Sequence, residues 1–374
     1  MTIFVPNIEI RMLGRIVTRY KAIQDGKDTG KDFYLHRTSD RSIMELWAHE
    51  ENIRKDAKAY KKFTDVYENL KSFYGDQSLL DEETVFKLHC RNFINRHAIS
   101  DAAYLKEIGK GLYLDLCAYD HSCRPNVIYR CDGFVAIMRP LEKGLDIRDR
   151  TTTFYTYIDL LCHREQRQKM LQDTWYFRCA CARCTDPEEQ MLTSLVCLGC
   201  AEPLIIFGSK CNRNPTKLTV SCLKCLEVCG RERLMEGVNA MRFIDGVLER
   251  REIEQMPTKQ AVKFVQELLD RFNPLLPPVN IYMVRLTQAA IQHCLPDDSA
   301  SLLPHHLQAL DCMRLCFPKN HPALAYHLMN IGIFYSKLQD PLHALPYLHE
   351  ARNMIEFVLG EDHQFIAQID AHLA

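Results

Sequence analysis

No run of about 18 consecutive apolar residues occurs in this chain, so no membrane-spanning helix is expected. The first residues, MTIFVPNIEI, lack a basic segment followed by a long apolar core, so a secretory signal is not expected either. Excess charge is also missing. The 47 basic and 48 acidic side chains nearly cancel, which argues against indiscriminate binding to nucleic acid or anionic membrane. No cysteine precedes Cys90. The rest of the composition, 47% hydrophobic and 25% charged over 374 residues, suits two or three globular domains.

Cysteine is abundant further along. Nine of the 17 fall between Cys179 and Cys229. Without a secretory signal such thiols are expected in a reducing compartment, nucleus and cytoplasm, where close spacing points to zinc and not to disulfides. Zinc takes four thiolate or imidazole ligands in a tetrahedron. Cys179, Cys181 and Cys184 supply three, and Cys123 is the best candidate for the fourth. A second site is self-contained: Cys197, Cys200, Cys222 and Cys225 have zinc-ribbon spacing, with Cys211 and Cys229 as substitutes. Gly199 is expected to give that knuckle backbone freedom. Reduced, metal-free cysteines are the competing reading for both groups. Cys90, Cys117, Cys131, Cys162, Cys294, Cys312 and Cys316 are scattered and read as packing residues.

Residues 9–20 show helical spacing, and residues 44–74 read as one long helix or a helical pair. There Ile53, Ala57, Tyr60, Phe63, Tyr67 and Leu70 share a face, with Lys55, Lys58, Lys61 and Lys62 mostly opposite. Short strand-like runs follow at Val127–Tyr129, Phe134–Ile137 and Thr151–Ile158. Beyond residue 232 the pattern is helical, interrupted by the proline-rich loop Asn273–Pro278. Within it, Leu328, Ile331, Gly332, Tyr335, Ala344, Leu348 and Ala351 fit a tetratricopeptide-like pair of antiparallel helices. Gly332 would admit close approach, and Pro341 would begin the second helix.

Four motifs in order carry a family resemblance: Gly109-x-Gly111-Leu-Tyr113, His121-Ser-Cys-x-Pro-Asn126, Tyr157-Ile-Asp-Leu160 and Trp175-Tyr-Phe-x-Cys-x-Cys-x2-Cys184. Together with the C-terminal helices they resemble the SET and MYND domain (SMYD) lysine methyltransferases over nearly the whole chain. The resemblance implies an α+β fold: a β-rich SET domain with a helical insert, a zinc-binding post-SET region and a tetratricopeptide-like helical domain. The boundaries expected are 1–165 for a partial SET domain with its insert at about 40–75, 166–190 for the post-SET region, 191–231 for a ribbon-like insert and 232–374 for the helices.

The implied activity is transfer of a methyl group from S-adenosylmethionine to a lysine of a histone or other protein. Tyr157 matches the tyrosine that bounds the transfer pore, and Phe177 the ring that covers the adenine. Asp120, His121 and Asn92 fall at cofactor-binding positions, with His121 supporting backbone and cofactor and not binding metal. For Tyr157 and Phe177, simple core packing is the competing reading. The implied protein is a monomer with two zinc sites, a protein substrate, a peptide or protein partner at the C-terminal helices, and no nucleic-acid or membrane partner.

The chain departs from the family pattern in four places. The motif asparagine is Asp120, which only accepts hydrogen bonds when ionised. Arg91 replaces an amide and is expected to bring an unfavourable positive charge near the cofactor's sulfonium. Gly144-Leu145-Asp146 stands for Gly-Glu-Glu, with about six extra residues before Tyr157. The N-terminal SET strand and the MYND finger of the family have no match. These departures leave a second reading open: a catalytically impaired SET protein that acts as a scaffold through its C-terminal helices.

Overall fold

A computed structural model of the chain describes residues 7–27, 41–74, 79–208, 211–214, 216–293 and 298–373; Cys294 lies outside them. The N-terminal part is helical. Asn7 opens α1 (Ile8–Gln24) by accepting from the Glu9 and Ile10 N–H groups. Residues 44–74 do not form one helix. A 3-10 turn, closed by a capping box between Ser42 and Glu45, leads to α2 (Glu50–Lys55) and α3 (Ala57–Tyr74). Asp56 makes the break, extended between the two helices and accepting from the Lys58 and Ala59 N–H groups. These helices and α4 (Glu82–Asn95) enclose Leu13, Ile53, Phe63, Leu70 and Phe86, while Lys55, Lys58, Lys61 and Lys62 face solvent.

The strands come next and are short. β1 (His97–Ser100) pairs with β2 (Glu107–Gly111), antiparallel. β3 (Asp120–His121) leads into the hairpin of β4 (Val127–Asp132) and β5 (Val135–Pro140). The Thr151–Ile158 run reads as strand-like in sequence, but only β6 (Phe154–Tyr155) is strand. Local side chains claim the rest: Asp149 accepts from Thr151 N at 2.9 Å and Oγ1 at 2.6 Å, and Thr156 Oγ1 donates to Ile158 O. β6 pairs parallel to β3, with Asp120 opposite Phe154 and His121 opposite Tyr155. Asn126 locks that return: its Oδ1 accepts from Phe154 N at 2.8 Å and its Nδ2 donates to Thr152 O at 2.7 Å.

After α5 (Arg164–Trp175) and the single turn α6 (Ala182–Thr185), the ribbon-like segment contributes β7 (Leu195–Val196), β8 (Pro203–Leu204), β9 (Asn212–Asn214), β10 (Thr219–Ser221) and β11 (Val228–Cys229). The remainder is α7 (Arg231–Glu249), α8 (Thr258–Phe272), α9 (Ile281–His293), α10 (Ser299–Cys316), α11 (Pro322–Lys337), α12 (Pro341–Leu359) and α13 (Gln364–Leu373). None of the described helices is long and apolar enough to cross a membrane. At Gly332 an added Cβ would lie 2.6 Å from the Leu348 side chain, so α11 and α12 touch where glycine permits it, with Ala344 and Ala351 buried along the seam. Asn280 stitches the ribbon to this helical part through Nδ2 to Ser194 O at 2.9 Å.

A buried ion triad joins three regions. Glu189 receives Arg167 through both carboxylate oxygens, at 2.8 and 2.7 Å, and Arg183 Nε at 2.7 Å. Arg183 also donates to Leu160 O and, across to α10, to Cys316 O. Burial alone would weaken the Arg167 guanidinium's hold on its proton; Glu189 reverses that and holds its pKa above the ordinary arginine value.

Candidate functional site

The first cysteine group is gathered from three directions. Cys123 follows β3 in a turn where Ser122 Oγ accepts from Arg124 N at 3.0 Å. Cys179 follows α5, and Gln168 of that helix grips its backbone, accepting from Cys179 N at 3.0 Å and donating to Cys179 O at 2.6 Å. Cys181 is the N-cap of α6 and Cys184 lies within its single turn. The four sulfurs lie within 4.8 Å of one another, and those of Cys184 and Cys123 are 3.6 Å apart. A tetrahedron with Zn–S bonds of about 2.3 Å has sulfur–sulfur edges of about 3.8 Å, so the group fits zinc. Gln168 Nε2 points at Cys184 Sγ from 3.3 Å and Arg167 Nη2 from 3.8 Å, donors that suit thiolate charge.

Cys197, Cys200, Cys222 and Cys225 form the second group, also within 4.8 Å. Cys197–Cys225 and Cys200–Cys222 sulfur separations are 3.5 and 3.8 Å, again the edges of a zinc tetrahedron. Cys211 and Cys229 do not belong to either group. The backbone freedom expected of Gly199 sits elsewhere: Ala201 and Leu226, each one residue past a knuckle, take φ of 61° and 63°. Gly199 matters for space, since a Cβ there would lie 3.0 Å from Cys225 Sγ. Among the scattered cysteines, Cys90, Cys131, Cys162, Cys312 and Cys316 are buried, and Cys117 is half-buried.

His121 ties the first group to Tyr157. Its Nδ1 accepts from the Tyr157 backbone N–H at 3.1 Å, so the ring proton belongs on Nε2, which faces Cys123 Sγ at 3.2 Å. The imidazole is thus not among the sulfurs; it links one of them to the tyrosine. Tyr157 donates its hydroxyl to Tyr119 O at 2.8 Å. Burial, and then the Asp120 charge, push the Tyr157 pKa well above the usual phenol value, so the hydroxyl keeps its proton. Asp120 itself is exposed at the start of β3.

The consecutive aromatics Trp175, Tyr176 and Phe177 diverge. Trp175 packs 5.4 Å from the Tyr157 ring and donates to Ile94 O at 2.8 Å. Phe177 meets His121 edge-on at 6.1 Å and stays half-buried beside the cysteines. Between them Tyr176 adopts φ 58°, which turns its ring away to His49, 5.4 Å off, and His49 stacks on exposed Trp47. Asn92 lies near the C-terminal end of α4, two residues before Ile94; it is 3% exposed and its Oδ1 has no hydrogen-bond partner. A buried acceptor of that kind fits a ligand donor.

Arg91 corrects an expectation. It pairs with Glu50 at 2.6 Å and donates to Met44 O and Lys87 O, so its charge is neutralised within the helical insert. Sequence reasoning also missed Gln168, the Trp47–His49–Tyr176 stack and the backbone contacts of Asn126, which it named only as part of a motif. Gln168 lies 11 residues from Cys179, and Asn126 grips backbone 26 to 28 residues away; neither spacing is a motif.

No protein-family model matches the chain. Curated relatives do. It is 21% identical to N-lysine methyltransferase SMYD2-B of Danio rerio over 97% of this chain and 75% of that protein. Identity to N-lysine methyltransferase SMYD2 of Gallus gallus is 22%, covering 98% and 76% respectively. Histone-lysine N-methyltransferase SMYD3 of Mus musculus is 22% identical over 97% of this chain and 74% of its own length.

Proposed function

Because this chain belongs to the SMYD family of lysine methyltransferases, we propose that it is a protein-lysine N-methyltransferase using S-adenosylmethionine, with both cysteine groups holding zinc. The observation that carries the reading is His121. One imidazole joins a sulfur of the first cysteine group to the Tyr157 backbone and presents its edge to Phe177. Metal, aromatic cover and pore tyrosine therefore form one rigid unit.

S-adenosylmethionine would supply an electrophilic methyl group on a sulfonium. The chain's own residues would do the rest. Phe177 offers a half-buried face for the adenine, and Asn92 Oδ1 an unused acceptor. Asp120 offers a carboxylate to the cofactor's ammonium. Tyr157 and the Tyr119 carbonyl place two oxygens where the amine must be aligned, and Tyr155 and Trp175 wall that space. Free lysine titrates near 10.4, and such walls favour its neutral, nucleophilic form by desolvation. In this reading residues 1–165 form the SET part and 166–190 the post-SET part, the protein works as a monomer in nucleus and cytoplasm, and the C-terminal helices receive a protein partner.

Arg91 no longer supports the scaffold reading, whereas Asp120 in place of an amide and the altered Gly144-Leu145-Asp146 segment still do. Calorimetric titration with S-adenosylmethionine separates the two. Saturable binding is expected, weakened about tenfold or more in Phe177→Ala by loss of a stacking face. No heat of binding at high micromolar cofactor would remove the methyltransferase reading.

A further inference from the structure

Behind Tyr157 lies a buried histidine that nothing above uses. His97 opens β1 and is 6% exposed. Its Nε2 is 2.8 Å from the Tyr155 hydroxyl, and the two rings stack at 27°. Tyr129 stands perpendicular to the imidazole at 87° and to Tyr155 at 83°. Tyr113 closes the remaining side of His97. Gly111, opposite His97 in the β1–β2 ladder, makes that closure possible: a Cβ there would sit 2.7 Å from the Tyr113 ring.

The outer tyrosines are anchored in their turn. Tyr113 donates to Phe134 O at 3.0 Å and Tyr129 to Ala98 O at 3.2 Å. His97 is therefore enclosed by three tyrosines, and it holds one of them, Tyr155. Tyr155 packs directly on Tyr157, with ring centroids 5.0 Å apart and planes tilted by 58°. We propose that His97 and Tyr155 are positioning residues: their hydrogen bond fixes the Tyr155 hydroxyl against Tyr157 and so sets the alignment of the pore tyrosine during methyl transfer. The inference rests on the methyltransferase reading for its kinetic consequence, and on geometry alone for the coupling.

Positioning, and not proton removal, is the role the surroundings allow. Burial lowers the His97 pKa to about 4, offset only in part by the Asn95 backbone. So weak a base holds no proton near neutrality and cannot take one from a lysine ammonium titrating near 10.4. A neutral imidazole still makes one directed hydrogen bond, and the tyrosine cage keeps it aimed.

The test compares wild type with His97→Leu, His97→Gln and Tyr155→Phe. Two readouts are taken: the carbon-13 signal of the Tyr157 phenol carbon in tyrosine-labelled protein, assigned with Tyr157→Phe, and single-turnover transfer from labelled S-adenosylmethionine to a lysine-centred peptide library. In His97→Leu and Tyr155→Phe the Tyr157 signal should move and the rate should fall about tenfold, with cofactor affinity within about twofold of wild type. His97→Gln, which restores a hydrogen-bonding group, should recover most of both. An unmoved Tyr157 signal in folded His97→Leu would overturn the inference. So would a rate loss matched by equal loss of cofactor affinity and melting temperature, which is what a purely structural role gives. If wild type transfers nothing, the methyltransferase reading fails, and the carbon-13 signal alone still decides whether His97 positions Tyr157.

Discussion

Glu189→Ala should destabilise the protein by about 3–5 kcal/mol, read as a loss of melting temperature and denaturant midpoint. Among the described residues this carboxylate is the acidic partner of both Arg167 and Arg183, which are fully buried. Removing it leaves two guanidiniums in low dielectric with only carbonyls and a sulfur for company. The carbonyls satisfy some N–H donors without cancelling charge, and Cys184 Sγ at 3.8 Å offsets only part of the Arg167 charge, so much of the desolvation cost returns. The damage should also spread. Arg167 lies on α5 and Arg183 between two cysteines, so zinc affinity should fall with stability. Glu189→Gln keeps the shape and loses the charge, and it should be destabilising to a similar degree. A melting temperature within about one degree of wild type for both variants would show that the triad contributes little.

The second large effect concerns the first cysteine group. Metal analysis of wild type should give about two zinc ions per chain, and Cys123→Ser about one. Cys123 is fully buried and approaches from the strand side, opposite the three cysteines that follow α5. Without it the metal loses both a ligand and its tie to the turn after β3, leaving the edge-on Phe177–His121 contact to hold the Trp175–Cys184 segment there. Structural zinc is worth about 10–16 kcal/mol in small zinc-binding peptides, so the segment should loosen and carry Phe177 with it. Affinity for S-adenosylmethionine should drop roughly tenfold or more. Cys211→Ser, outside both groups, is the control and should keep two zinc ions. Two zinc ions retained in Cys123→Ser would remove Cys123 from the ligand set.

What could be read from the chain depended on range. Cysteine spacing is local chemistry, and each ribbon knuckle is complete within four residues, so the second group was visible in full. The pairing of α11 with α12 was visible for the same reason: Gly332, Ala344 and Ala351 report a seam between neighbouring helices. Thr151–Ile158 misled because β-branched and aromatic residues favour strands, while Asp149 and Thr156 offered local side-chain bonds that ended the strand early. Arg91 misled for a different reason. Its partner, Glu50, is 41 residues away in the helical insert, and no periodicity connects the two. The same holds for Glu189 with Arg167, 22 residues away, and for His97, 58 residues from Tyr155. Long-range polar partners need the fold before they can be named.

Tyr157, held by His121 beside the cysteine group, is the residue we propose to bound the methyl-transfer site. The most direct measurement is mass spectrometry of a lysine-centred peptide library after incubation with the zinc-loaded protein and saturating S-adenosylmethionine. The account predicts N-methyl-lysine from wild type and a loss of about 10²-fold in Tyr157→Phe with the fold and zinc content unchanged. No methyl-lysine from wild type, or undiminished transfer by Tyr157→Phe, would contradict it.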